Sequence, residues 1–386
     1  MRVGFDHVST MHQLRSHVHQ RALEQYKNQP PFKTASPMLY ANNAQVVNKA
    51  ETLIAKLSHY LQSVEPDPKL FFEKGDTVPV PDIHGDFVHL ITTLYRHGLL
   101  EPNLDLKKDF KYVFLGDFYN FGKDASVVDY WLNKQINRGI TIYRLAGNHE
   151  LFFLLRDKEG QFRVKLRNTE TGEKYSMPAY DVENDLKNGY QVTEELLRSI
   201  KDGSLLAAYT TLDEENNVPV LYAHTFTTSA DFEKLGIDKQ DLVDFIEKAN
   251  ERFRTLGAES HEIFMDGKRS GKIDWKEVTR PIFSEPIFNI LHKDENKRSD
   301  AFFVRLTGLT SNFDIVSSIN DEIPEGVYQV VGHIQVPDFD LPKDHPTNEP
   351  LVLHGNEGKA FVQFTDIGMG QYYNEESLER PNVSIK

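Results

Sequence analysis

Apolar residues recur at helical spacing through Ala44–Leu61, where Val46, Val47, Leu53, Ile54, Leu57 and Leu61 predict one amphipathic helix. Upstream, Met11–Gln25 is polar and rich in histidine. The run Glu65-Pro66-Asp67-Pro68 breaks any helix. Beyond it the pattern changes to short apolar runs alternating with longer helical ones. The clearest runs are Thr77–Pro81, Tyr112–Gly116, Thr141–Ala146, Val218–Ala223, Tyr328–Gly332 and Lys359–Phe364. They predict strands, and the alternation predicts an α/β domain. Residues 1–65 are therefore expected to form a helical N-terminal extension, and residues 66–386 the main domain. Two stretches interrupt the rhythm and are expected to be insertions. Residues 157–203 are highly charged, with a helix predicted at Thr193–Ile200. Residues 230–298 carry helices predicted at Lys239–Thr255 and near Ile273–Val278.

Several of these strands end directly in a polar cluster. Thr77–Pro81 runs into Asp82-Ile83-His84-Gly85-Asp86. Tyr112–Leu115 runs into Gly116-Asp117-Phe118-Tyr119-Asn120-Phe121-Gly122. Thr141–Ala146 runs into Gly147-Asn148-His149-Glu150. Val218–Ala223 ends at His224, and Tyr328–Val331 ends at Gly332-His333. In open α/β sheets, ligands sit at the carboxyl ends of strands. Five strand ends thus deliver oxygen and imidazole donors without sulfur, a set suited to Mn, Fe or Zn. One such Asp or His alone would be an ordinary structural residue. Five in order, each after an apolar strand, are not.

Composition narrows the chemistry. The chain has 386 residues and no cysteine, which excludes a disulfide framework, a thiol nucleophile and any Cys-ligated metal. It has 58 acidic and 44 basic residues, and the net charge of −14 argues against a binder of nucleic-acid backbones or a polybasic membrane anchor. No stretch approaches the length of a membrane span, and the first residues show no apolar signal region, so a cytoplasmic protein is expected. An acidic protein can act on an anion only if positive charge is concentrated locally.

The series resembles the calcineurin-like metallophosphoesterases, and in particular the phosphoprotein phosphatase family, whose signatures are Gly-Asp-x-His-Gly, Gly-Asp-x-x-Asp-Arg-Gly, Gly-Asn-His-Glu and two later histidines. The resemblance covers roughly residues 75–370. It implies an α/β fold with a central β-sandwich of two mixed sheets flanked by helices. It implies two divalent ions, with Mn favoured and Fe and Zn as alternatives. Asp82, His84 and Asp117 would hold the first, and Asp117, Asn148, His224 and His333 the second. A hydroxide shared by the two ions would attack phosphorus, and His149 would protonate the leaving oxygen. Gly332-His333-Ile334-Gln335 lacks the second histidine of the Gly-His-x-His nucleases and phosphodiesterases, which resembles the phosphatase branch. Asp366-Ile367-Gly368-Met369 looks like an element of its Shewanella-like members.

Three positions depart from that pattern. Pro81 replaces a glycine and removes a backbone donor. Asn120-Phe121 replaces Asp-Arg, so the partner of His149 is neutral and one phosphate-clamping cation is missing. Arg305, which precedes His333 at a spacing similar to that of the family's second phosphate-binding arginine, is the replacement expected; Lys123 and Arg144 are weaker candidates. With Arg305 in place, the metals, Asp82, Asp117 and the hydroxide leave a centre of about +2, suited to a phosphate dianion.

The expected function is hydrolysis of phosphoserine and phosphothreonine in phosphoproteins, with phosphotyrosine left open by Phe121. The alternatives are a dinucleoside polyphosphate hydrolase and a weakly active phospho-binding protein. The N-terminal extension is expected to shape access or dock a partner. The composition suits a bacterial protein, for which translocation into a host cell as an effector is the alternative to a cytoplasmic location.

Overall fold

A computed structural model describes residues 44–66, 68, 72–119, 122, 124–156, 165–167, 174–176, 191–213, 218–237, 241–288, 323, 327–333, 351–355 and 360–365. The Met11–Gln25 pattern, Asn120, Phe121, Lys123, Arg305 and Asp366–Met369 lie outside them.

Helix α1 (Ala44–Leu61) opens the described chain. Strand β1 (Thr77–Val80), helix α2 (Phe87–Arg96), strand β2 (Lys111–Phe114), helix α3 (Ala125–Asn137) and strand β3 (Thr141–Leu145) follow in strict alternation. The short helix α4 (Asn148–Phe152) leads to the hairpin strands β4 (Lys165–Arg167) and β5 (Lys174–Ser176). Helix α5 (Gln191–Asp202), strands β6 (Leu205–Leu206), β7 (Ala208–Asp213) and β8 (Val218–Ala223), and helices α6 (Ser229–Lys234), α7 (Leu242–Ser270) and α8 (Trp275–Ser284) come next. Strands β9 (Tyr328–Val331), β10 (Leu351–Gly355) and β11 (Ala360–Phe364) complete the series.

Two main sheets result, as the resemblance implied, but among the described strands only the second is mixed. The first has order β1-β2-β3-β6 and is parallel throughout. The second is mixed, with order β10-β11-β9-β8-β7, and pairs β8 with β9 in parallel. Alternation along each strand sorts its side chains onto two faces. Tyr112 and Phe114 of β2 enter the large core shared with the helices, whereas Val113 and Leu115 enter a smaller cluster. That cluster also holds Tyr143 and Leu145 from β3, Tyr209 from β7, Val220 and Tyr222 from β8, and Val330 from β9. It is the seam between the sheets, and Tyr143 stacks on Tyr209 across it at 4.2 Å. Strands buried on both faces read as continuous apolar runs, which explains why β2, β3, β8 and β9 stood out in the sequence.

Helix α1 buries Val46, Ala50, Ile54, Leu57 and Leu61 on one stripe, and the last four belong to the large core. It packs on α2 and α3, with Lys49 Nζ 3.1 Å from Asp124 Oδ1 at the start of α3. Helix α7 runs 15 residues past its expected end at Thr255, to a left-handed cap at Gly271. Gly257 does not stop it. Helix α5 approaches so closely there that a Cβ would collide with Ile200. Helix α8 starts at Trp275 because Asp274 accepts the Lys276 and Glu277 amides. Pro81 falls one residue past β1, outside the ladder, where its missing N–H breaks no pairing.

Candidate metal centre

Parallel pairing of β1, β2 and β3, and of β8 and β9, places the five polar strand ends together. Backbone bonds then fasten the loops. Ile83 and His84 N–H both donate to the Asp117 carbonyl at 3.1 and 2.8 Å, and Gly85 N–H donates to the Phe118 carbonyl at 2.8 Å. His333 N–H donates to Asp82 Oδ2 at 3.0 Å, and His149 N–H to Asp117 Oδ1 at 2.9 Å. The Gly147 Cα lies so near Asp117 that any Cβ there would collide with Oδ1. Among the described non-glycine residues, positive φ occurs only at Leu104 and at three residues of this cluster, His84 (49°), Asp117 (50°) and His333 (65°). Such backbone costs about 1–3 kcal/mol per residue and persists where the surroundings enforce it.

Asp82, His84, Asp117, Asn148, His149 and His224 are all buried, and His333 is partly exposed at the rim. Two groups of donor atoms lie mutually within 4.8 Å: His84, Asp117 and His149, and Asp117, His224 and His333. Asp117 is common to both. Asp82 stands beside the first group, with Oδ2 4.0 Å from His84 Nε2. Asn148 stands in the second, with Oδ1 2.9 Å from His224 Nε2. His149 stands beside Asp117, its Nε2 3.7 Å from Asp117 Oδ2.

The donor set fits a cation. A carbonyl can only accept, so His84 Nδ1, 3.2 Å from the Tyr119 carbonyl, carries its proton, and so does His224 Nδ1, 2.9 Å from the Leu115 carbonyl. Burial pushes His224 well below the usual imidazole range and His84 and His333 down to about 4, so the rings are neutral. His224 Nε2 is therefore a bare lone pair, facing Asn148 Oδ1, Asp117 Oδ2 at 3.5 Å and His333 Nδ1 at 3.1 Å. Acceptors gathered in this way suit a cation between them. Donors about 2.0–2.2 Å from one ion stand roughly 3–4 Å apart, which is the spread found here.

Glu150 was only the last letter of a motif in the sequence, yet it joins the loops. Its Oε2 accepts the Asp117 and Gly147 amides and its Oε1 the Phe118 amide, each at 2.8 Å. The capping spacing from Gly147 to Glu150 was the available signal. Asp86 caps α2 by accepting the His89 amide. Arg144 is buried with its guanidinium 5.9 Å from the Phe118 ring centre, beside Asp129.

A two-sheet α/β fold with carboxylate and imidazole donors at its strand ends defines a class, the metal-dependent phosphoester hydrolases. The chain belongs to the calcineurin-like phosphoesterase family, whose sequence model matches residues 80–337. Among solved structures it is similar to the cold-active protein-tyrosine phosphatase of a psychrophilic Shewanella species. The identity is 16% over 83% of this chain and 77% of that one, with a TM-score of 0.42. A second structure of a cold-active protein tyrosine phosphatase gives 17% identity, 83% and 76% coverage and a TM-score of 0.41. A comparison with curated protein sequences returned no match.

Proposed function

We propose that this phosphoesterase is a two-metal phosphoprotein phosphatase that hydrolyses phosphomonoesters on Ser and Thr, with Tyr as a further substrate. The observation that carries the reading is the position of the Asp117 carboxylate, common to two groups of imidazole donors at the strand ends. In this reading Asp82, His84 and Asp117 hold one ion, and Asp117, Asn148, His224 and His333 the other. When bound, the ions, with Mn favoured, supply Lewis acidity and lower the pKa of water.

The chain's own residues do the rest. Asp117 offers Oδ2 to both groups while its Oδ1 is fixed by the His149 amide. Nδ1–H of His84 and of His224 is engaged by a backbone carbonyl, so each ring presents only Nε2 inward. His149, buried beside the Asp117 carboxylate, delivers a proton to the leaving oxygen in this reading. Burial and the neighbouring rings of His84, His224 and His333 push it well below the usual range. It therefore needs a negative partner to hold a proton. Asn120 orients His149 and Arg305 holds the phosphate in this reading, both on the strength of the resemblance.

The test is hydrolysis of p-nitrophenyl phosphate and of a phosphopeptide panel covering Ser, Thr and Tyr, with diadenosine tetraphosphate alongside, before and after chelation. Turnover of phosphopeptides that chelator abolishes and Mn restores is expected. Turnover of the dinucleotide alone, or phosphopeptide binding without turnover, would replace this reading by one of its rivals.

A further inference from the structure

We propose that Tyr119 and Asp129 are a positioning pair for His84, which fixes the ring's tautomer and its aim into the metal centre. The proposal rests on the reading of His84 as a metal ligand. Neither residue belongs to the strand-end constellation beyond Tyr119's place in its loop, and neither touches the donor atoms.

Tyr119 meets the site through its backbone and the protein interior through its side chain. Its carbonyl accepts His84 Nδ1–H at 3.2 Å. Its hydroxyl donates to Asp129 on α3, forked between Oδ2 at 3.1 Å and Oδ1 at 3.3 Å. Its ring meets Phe153 edge-on at 5.1 Å. Tyr119 and Asp129 are 4% and 2% exposed, so the bond is made away from water, where a hydrogen bond to a carboxyl oxygen is stronger. Burial raises the Asp129 carboxyl, and the Arg144 guanidinium and the Tyr119 hydroxyl act against that rise. In either protonation state the carboxyl keeps an oxygen to accept the Tyr119 hydroxyl.

The consequence reaches His84 through one peptide group. An imidazole free in water prefers its proton on Nε2, the atom that must be bare to donate to a metal. A carbonyl held at Nδ1 reverses that preference. Backbone bonds fix the loop up to Phe118, and the anchored side chain of Tyr119 extends that hold to the next carbonyl, the one facing His84. Tyr119→Phe removes one oxygen and keeps the ring in its pocket, so it separates anchoring from packing.

The experiment is Mn(II) titration of the metal-free full chain, read as free Mn by electron paramagnetic resonance, for wild type, Tyr119→Phe, Asp129→Asn and His84→Ala. Melting of each metal-free protein is recorded, together with nitrogen-15 NMR of the His84 ring in wild type. Tyr119→Phe should weaken the binding step lost in His84→Ala by roughly 10-fold. Its melting temperature should stay close to that of wild type, and the wild-type NMR should show the proton on Nδ1. Asp129→Asn should weaken the same step, and it carries the test if Tyr119→Phe does not fold. A loss in His84→Ala with affinity in the pair variants unchanged would overturn the proposal and leave the metal centre standing. Undiminished binding in His84→Ala would overturn the metal-centre reading and the proposal with it.

Discussion

At the scale of the residue, His149 and Asp129 illustrate opposite uses of burial. Burial keeps His149, His84, His224 and His333 neutral, whereas it raises the Asp129 carboxyl to about 7. The signs follow from proton counts. Neutral imidazoles bind fewer protons folded than unfolded, so the metal-free protein should lose stability as pH falls from about 6.5 toward 4. Asp129 holds an extra proton when folded, so its contribution runs the other way and is lost as pH rises from about 4 through 7. Urea unfolding of metal-free wild type and Asp129→Asn at several pH values should show the wild type losing ground to the variant as pH rises across that window. A constant difference would mean that Asp129 titrates at its ordinary value. His149 is tested by leaving-group dependence. His149→Ala should lower kcat for a phosphoserine peptide by about 10²–10⁴-fold. The loss should be far smaller for an aryl phosphate whose leaving group needs no proton. Equal losses would remove His149 from the proton-transfer role.

At the scale of the element, β1, β2, β3, β8, β9 and β11 were legible to within a residue or two, because their largely apolar runs suit strands covered on both faces. The shorter or more polar β4, β5, β6, β7 and β10 were not. Helix α1 was also legible, since its stripe repeats without interruption from Val46 to Leu61. Helix α7 outruns its apolar pattern because its second half is largely exposed and carries Gly257, whose reason is the approach of Ile200 on another element. The six residues proposed as metal ligands could be named from the sequence because each lies just past an apolar strand. Glu150, Tyr119 and Asp129 were not assigned roles, since their partners are backbone groups or lie on other elements. The sequence set α1 apart as part of an extension, yet Leu57 lies fully buried in the large core. Leu57→Ala should destabilise the protein by about 2–5 kcal/mol in urea unfolding. A cost under about 1 kcal/mol would mean that α1 packs too loosely to matter to the core.

At the scale of the whole molecule, an acidic chain with a net charge of −14 meets an anionic substrate only through charge it gathers in one place. Two parallel strand sets bring five loops to that place, backbone hydrogen bonds lock them, and strained φ angles at His84, Asp117 and His333 record the constraint. The most direct test is metal content per chain after Mn loading and desalting, for wild type and Asp117→Ala, with melting temperature as the check on folding. The shared position of Asp117 predicts about two ions in wild type and loss of both sites' tight binding in a folded Asp117→Ala. A folded Asp117→Ala that keeps both ions would contradict it.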